Sequence, residues 1–240
     1  METAVSAQQE KFAKSGLAAY REFVVGNSSL PYWLGYEVSQ LLLANLSGLP
    51  GFALRSVVYP WLFKSCGSRP AIGRGVQIRN PAQIEIGNKI LVDDYAVLDV
   101  RGDQASITLG DLVSIGRFTT VTAKFGRVSL AAGANVGSYC RIATQSKVEI
   151  GESVLVAAYC YIGPGNHQQG NEETPLIKRA MEIKGGVKIG AHAWIGTRAT
   201  ILDGVTIGER AIVGAHSLVV EDVPAGATVA GTPARIIKNG

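Results

Sequence analysis

One histidine in this sequence stands where a strict repeat breaks. His167 follows Pro164-Gly-Asn, at the start of a stretch that leaves the repeat for about twenty residues and re-enters it at Val187-Lys-Ile-Gly190. A neutral imidazole titrates near neutral pH, so a histidine held at such a point can take the proton of an attacking hydroxyl or amine. The excursion Gln168–Glu182 carries Glu172, Glu173, Lys178 and Arg179, and reads either as the wall of a pocket or as a solvated loop. His192 and His216 each fall three residues after an aliphatic anchor, at positions that read as solvent-facing corners. The three histidines are spaced by 25 and 24 residues, which is not a converging ligand set, so no metal is expected. Cys140 and Cys160 occupy small inward positions on what count as successive turns and read as core residues. With Cys66 they form no closed disulfide framework, which fits a reducing compartment and predicts a cytoplasmic chain. Met1–Glu10 lacks a basic segment followed by an apolar core, so no secretory signal is expected there.

The elements that must position His167 announce themselves by period. Of 240 residues, 29 are glycine, with no Gly-X-Y repeat, and only 18% are charged against 47% hydrophobic. That combination excludes a disordered chain and points to a repeat architecture with many tight corners. From about residue 71, tetrapeptides such as Ile84-Glu-Ile-Gly87, Val148-Glu-Ile-Gly151, Val187-Lys-Ile-Gly190 and Val205-Thr-Ile-Gly208 recur. Within each unit a large aliphatic returns every six residues, as in Ile86, Val92, Leu98 and in Ile189, Ile195, Ile201. Four residues after most anchors comes a smaller one, among them Ala96, Thr119, Cys140, Ser146, Cys160, Ala199 and Ser217. Neither a helix nor an alternating strand has a period of six. A coil of three short flat faces does, with Gly, Asn or Asp expected at the corners. Three sixes give an 18-residue turn, expected for the first and last full turns, and extra residues at Arg101–Ser106 and Lys124–Arg127 mark small excursions. Six full turns stacked in parallel at about 4.8 Å each make a prism roughly 29 Å tall.

The N-terminal part is different. Residues 6–25 show an apolar stripe at helical spacing, stopped by Gly26-Asn27-Ser28-Ser29. Residues 32–63 are apolar and predict two short helices broken at Gly48–Gly51, too interrupted to span a bilayer. They read as a cap on the prism or a trimer contact, or as a hairpin lying in a membrane surface. The domain plan is therefore a helical segment over 1–70, a β-coil over 71–223 with its excursion at 163–186, and a C-terminal cap over 224–240. The formal charge of +4 is scattered singly, without a basic run, so nucleic acid is not an expected partner.

Residues 71–238 resemble the hexapeptide-repeat acyltransferases, in the branch of maltose and galactoside O-acetyltransferases. The resemblance rests on Ile150-Gly-Glu-Ser-Val-Leu-Val-Ala157 leading to His167, on Ala193-Trp-Ile-Gly196 and Ile201-Leu-Asp-Gly-Val-Thr-Ile-Gly208, and on the closing Ala230-Gly-Thr-Pro-Ala-Arg235. It implies a mainly β fold, a left-handed parallel β-helix with an N-terminal α-helical segment. It also implies a homotrimer with clefts between prisms, and acetyl transfer from acetyl-CoA to a sugar-like hydroxyl with His167 as base. The carrier groove it implies takes in Thr197, Ala215, Val220, Glu221, Arg235 and Lys238. The acceptor side takes in Gln145, Asn166 and Trp194, the last reading equally as packing against a neighbour. Two departures stand out. Val220-Glu221 replaces the family's usual Thr-Lys, losing a hydroxyl and reversing a charge beside the expected nucleotide, which leaves room for another carrier; Gln145 replaces its Asp, so the acceptor is expected to differ from a simple sugar. The apolar N-terminal segment suggests an envelope polysaccharide or lipid-linked precursor. N-acetyl transfer to an amino sugar or small amine, a non-catalytic trimeric scaffold, and a zinc hydratase like the γ-type carbonic anhydrases are the other readings.

Overall fold

Three parallel sheets, each built from one short strand per turn, form the body of the protein. The computed structural model describes residues 16–26, 28–163, 165–168, 175 and 179–240, with Asn166 and His167 described by their backbone. The first face runs through Ser65–Cys66, Ile84–Ile86, Ser106–Leu109, Arg127–Leu130, Lys147–Ile150, Val187–Ile189 and Thr206–Ile207. The second runs from Ala71–Ile72 through Leu91–Val92, Ser114–Ile115, Asn135–Val136, Leu155–Val156, Trp194–Ile195 and Ile212–Val213 to Thr228–Gly231, which pairs antiparallel with Ala234–Lys238. The third holds Gln77–Arg79, Val97–Arg101, Thr120–Lys124, Arg141–Thr144, Tyr161–Ile162, Thr200–Ile201 and Leu218–Val219. The chain is thus a parallel β-solenoid of about seven turns, as the six-residue period predicts.

The anchors Ile86 through Val219 all lie in one continuous core, and so do the small residues Ala96, Thr119, Cys140, Cys160, Ala199 and Ser217. Ser146 is the exception. It sits half-exposed at a corner, where its backbone N–H donates to Thr144 Oγ1 at 2.9 Å. Turn length also departs from expectation. Ile189 pairs with Ile207 at the expected separation of 18, but Ile84 pairs with Ile107 at 23. The extra residues gather at the third corner, where the third face hands over to the first.

Glycines open most corners as expected, such as Gly87 and Gly190, where a Cβ would meet backbone of the next turn within 3 Å. The left-handed positions differ from the expectation: besides Gly75, Gly133 and Gly226 they hold Lys89, Leu112, Ser153, His192 and Arg210 at the first corner, and Tyr95, Phe118, Tyr139, Tyr159, Arg198 and His216 at the second. A side chain in that region costs about 1–2 kcal/mol. Here each such residue donates its N–H to the carbonyl of the turn below, as Tyr139 does to Arg117 O at 2.8 Å. At the second corner the rings of Tyr95, Phe118, Tyr139 and Tyr159 also stack at centroid spacings of 5.2, 5.0 and 4.9 Å. Asp and Asn act beside the corner. Asp94 Oδ1 accepts from Arg74 N at 2.7 Å, and Asp111 Oδ1 from Asn88 N at 2.7 Å.

Among the described residues three α-helices precede the coil: α1 (Gly16–Val25), α2 (Leu30–Leu43) and α3 (Gly48–Val58). Residues 6–15 of the first expected helix lie outside the described residues. The break between α2 and α3 falls at 44–47, earlier than Gly48–Gly51, because Ser47 is the N-cap of α3 and those glycines form its first turn. Arg55 fixes this arrangement. It is buried, and its guanidinium donates to Leu43 O at 2.9 Å, Leu46 O at 2.7 Å and Ile72 O at 3.0 Å, tying both helices to the first turns of the coil. No described helix is long and apolar enough to cross a membrane.

Candidate active site

The excursion that carries His167 leaves and rejoins the solenoid through two glycines. Gly163 has φ +85°, and a Cβ there would sit 2.4 Å from Ala143 O in the turn below. Gly186 has φ +98°, and its Cβ would meet Lys147 O at 2.2 Å. Both positions therefore need a residue without a side chain. Between them the register is undisturbed, with Val148 opposite Val187 and Tyr161 opposite Thr200. At the base of the excursion Asn166–His167 pairs antiparallel with Met181–Glu182, and Gln168 N donates to Ala180 O at 2.9 Å. This short ribbon positions the backbone of His167.

The ribbon forms one wall of a cleft of about 320 Å³, lined there by Gly163, Gly165, Met181, Glu182 and Ile183. The floor is the outer side of the third face, with Thr120, Thr122, Arg141, Ala143 and Tyr161, while Gln145 and Lys124 stand at the third corner. Gln145 is thus brought to the ribbon that carries His167. Composition and period did not single out the charged residues here. Asp99 is only 3% exposed and is held by Arg101, Nε to Oδ2 at 2.9 Å, and by Arg79, Nη1 to Oδ2 at 3.5 Å. The ring of Phe23 from α1 lies against both guanidiniums, at 4.3 Å from Arg79 and 5.3 Å from Arg101. Burial, and then the charge of Arg101, pull the Lys124 pKa down, partly opposed by Asp99. The available signal was the surplus length at Arg101–Ser106 and Lys124–Arg127, which marks the same corner.

The carrier-groove residues fall elsewhere. Thr197 and Ala215 occupy the second corner on consecutive turns. The Thr197 hydroxyl donates to Ala158 O and its carbonyl accepts from His216 N, each at 2.8 Å. Trp194 projects from the second face, 49% exposed, between Leu155 and Ile212. Val220 and Glu221 lie exposed just past the last strand of the third face, and Glu221 reaches Arg235 at 3.5 Å. Arg235 and Lys238 belong to the closing strand Ala234–Lys238. None of these seven lines the cleft. Within one chain the predicted residues form separate groups, with Gln145 and the His167 ribbon in one and the carrier residues outside it.

His192 and His216 stand exposed at different corners. Cys140 and Cys160 are buried free thiols that donate to Ala157 O at 3.1 Å and Gly196 O at 3.2 Å. The hydrogen-bonded neighbour Cys140 and then burial push the Cys160 thiol up, so it stays protonated.

Known proteins bear on this geometry. The family model described as bacterial transferase hexapeptide (six repeats) matches residues 186–220. The chain is 28% identical over 230 residues to the probable acetyltransferase Rv3034c of Mycobacterium tuberculosis, covering 95% of this chain and 64% of that one. It is 32% identical over 148 residues to the putative lipopolysaccharide biosynthesis O-acetyl transferase WbbJ of Escherichia coli, covering 58% of this chain and 74% of WbbJ. The chain therefore spans somewhat less than two thirds of its mycobacterial relative and about three quarters of WbbJ. Among solved structures, AntD, an N-acyltransferase from Bacillus cereus, superposes with a TM-score of 0.50 at 26% identity, over 73% of this chain and 83% of that one. That AntD structure contains dTDP-4-amino-4,6-dideoxyglucose and coenzyme A. The polySia-specific acetyltransferase NeuO shares the fold, with a TM-score of 0.56 at 21% identity over 72% of this chain and 80% of that one. Repeat, fold and the WbbJ match agree, and the chain belongs to the hexapeptide-repeat acyltransferase family.

Proposed function

We propose that this protein transfers an acetyl group from coenzyme A to a hydroxyl of a saccharide of the cell-envelope kind, with His167 as general base. The observation that carries the reading is the ribbon Asn166–His167 with Met181–Glu182, which forms one wall of the cleft of about 320 Å³ that Gln145 also lines. The names of WbbJ and NeuO point to O-acetyl transfer onto saccharides and that of AntD to N-acyl transfer. The hydroxyl-lined floor, Thr120 and Thr122 beside Tyr161, suits a sugar acceptor.

In this mechanism His167 accepts the acceptor proton as the hydroxyl oxygen attacks the thioester carbonyl. The C–S bond then breaks, and the same imidazole returns the proton to the leaving sulfur. Gln145 supplies an amide that can orient acceptor or imidazole without adding a negative charge. Asn166 and Trp194 complete the acceptor side. Thr197 and Ala215 offer corner backbone to the carrier arm, and Arg235 and Lys238 offer cations to its phosphates. Val220 and Glu221 flank them, and Glu221 must release Arg235 before a phosphate can take it. None of these groups lines the cleft of its own chain, and a site completed by a second copy would bring them to it, which supports a homotrimer.

The outer surface of α2 and α3, uncharged beyond Glu37, supports a peripheral contact with the cytoplasmic face of a membrane through residues 32–63. Between Glu37 and Lys64 the sequence has a single charged residue, Arg55, and it faces inward, while Leu41 and Leu49 are 83% and 78% exposed. Co-sedimentation with anionic liposomes tests this, and a chain that stays in the supernatant removes the membrane partner.

The decisive test of the enzymatic reading is His167→Ala with thiol release from acetyl-CoA as the assay. Turnover is expected to fall by roughly 10²–10⁴ with unchanged thermal melting. Near-normal turnover removes His167 as the base. An acetyl product that resists mild hydroxylamine is an amide and selects N-transfer instead.

A further inference from the structure

The floor of the cleft is ordered by the strand register of the third face. Arg101 is level with Lys124, Asp99 with Thr122 and Ala143, and Thr120 with Arg141 and Tyr161. Val121 and Ala123 point into the core, so Thr120, Thr122 and Lys124 face the cleft. Lys124 and Arg141 therefore stand at opposite ends of a short floor made by Thr122 and Ala143. Arg141 and Gln145, which follows the strand at the level of Lys124, are four positions apart, about 13 Å of extended chain.

The carboxylates around this floor already have donors. Asp99 holds Arg79 and Arg101, Glu182 pairs with Lys184 at 3.8 Å, and Asp203 Oδ2 accepts from Lys184 N at 2.6 Å. Lys124 and Arg141 have no ion-pair partner among the described residues. Lys124 is half-buried, and burial first and then repulsion by Arg101 disfavour its ammonium form, partly opposed by Asp99. An anion entering the cleft would relieve that repulsion, whereas a neutral sugar would leave it in place.

We propose that the acceptor carries an anionic group, a sugar carboxylate or a sugar phosphate, bound between Lys124 and Arg141 across the floor of Thr122 and Ala143. The exposed ring of Tyr161 lies beside Arg141 and gives the sugar an apolar face to rest on. This rests on the acetyl-transfer reading and names its substrate class.

The test compares glucose, glucuronic acid and glucose 1-phosphate as acceptors for the full chain and for Lys124→Gln, Arg141→Gln and Arg141→Lys. Thiol release gives KM for each acceptor and for acetyl-CoA, and calorimetry measures binding of the two anionic sugars directly. At least one anionic sugar is expected to have a KM about tenfold or more below that of glucose. Arg141→Gln and Lys124→Gln are expected to raise that KM roughly 10- to 100-fold, the range of one lost charge-assisted hydrogen bond, with the KM for acetyl-CoA unmoved. Arg141→Lys is expected to restore part of the loss. Which anion wins separates the carboxylate from the phosphate. The proposal is overturned if glucose serves as well as both anions, or if the variants move the KM for acetyl-CoA instead. If no acceptor is acetylated yet both anions bind and Arg141→Gln weakens them, the transfer reading fails and the anion site stands. If neither anion binds, the anion site is wrong whatever the transfer assay gives.

Discussion

Replacing Arg55 by methionine keeps the aliphatic stem and deletes the guanidinium donors that join α2 and α3 to the coil, leaving the Tyr36 hydroxyl bond to Ile78 O at 2.7 Å in place. Three carbonyls lose a partner: Leu43 O, Leu46 O and Ile72 O. Hydrogen bonds to a charged group contribute about 1.5–3 kcal/mol each, so the three sum to roughly 4.5–9 kcal/mol. Against this, methionine does not carry the desolvation cost of a buried guanidinium, which is several kcal/mol. The same burial pulls the Arg55 pKa down. The net destabilisation should be about 2–4 kcal/mol, confined to the helical segment because the strand ladders are untouched. At 1.4 kcal/mol per decade, α2 and α3 should open roughly 30- to 700-fold more often. Amide hydrogen exchange reads this directly. Protection over residues 30–58 should fall by between one and three decades, while amides of the Val187–Ile189 and Trp194–Ile195 strands keep their rates. Unchanged protection in the helices would mean that apolar packing alone holds the segment. An equal loss everywhere would mean that helices and coil unfold as one unit.

Gly186→Ala places a Cβ 2.2 Å from Lys147 O, on a backbone with φ +98°. We expect a loss of about 2–4 kcal/mol, or roughly 5–15 °C in melting temperature. Gly185 has φ +106° but open space around it, so Gly185→Ala isolates the backbone part; an equal drop in both variants would discard the clash. Tyr32 donates its hydroxyl to Leu62 O, and burial pushes its pKa up to about 12. The stability linked to this phenol is complete below pH 10, the unfolded value, and drains away between pH 10 and about 12 as only the unfolded chain ionises. That amounts to at most about 2 kcal/mol for a half-buried ring, and Tyr32→Phe should flatten the alkaline fall by that much. Identical denaturation curves at pH 9 and 11.5 for both proteins would rule it out.

The coil was legible in the sequence because its signal is local and redundant. Each anchor from Ile86 to Val219 repeats the same six-residue message, and one misread position, Ser146, leaves the others intact. What the sequence concealed depends on contacts between turns. Tyr95, Phe118, Tyr139 and Tyr159 are poor corner residues singly, and become acceptable once each stacks on a neighbouring ring of the column. The helix break was misplaced because Gly48–Gly51 looks like a breaker, whereas Ser47 and the distant Arg55 decide where α2 ends. Among the candidate site residues, His167 and Gln145 stood out through the break in period and the family pattern. Asp99, Lys124 and Arg141 were not, since an outward charge on a strand looks like ordinary surface until the excursion walls it in.

The seam at Gly163 and Gly186 has a further consequence. Val148 and Ile150 pair with Val187 and Ile189 across 39 positions as though nothing intervened, so the solenoid does not register how much chain is spliced in there. Doubling such an insert costs only about 0.6 kcal/mol in closure entropy. The arm proposed to meet the acceptor is therefore a detachable part. It can be lengthened, shortened or exchanged for a cousin's while the spindle beneath it keeps its pitch, and new acceptor preferences can be grafted onto an unaltered frame.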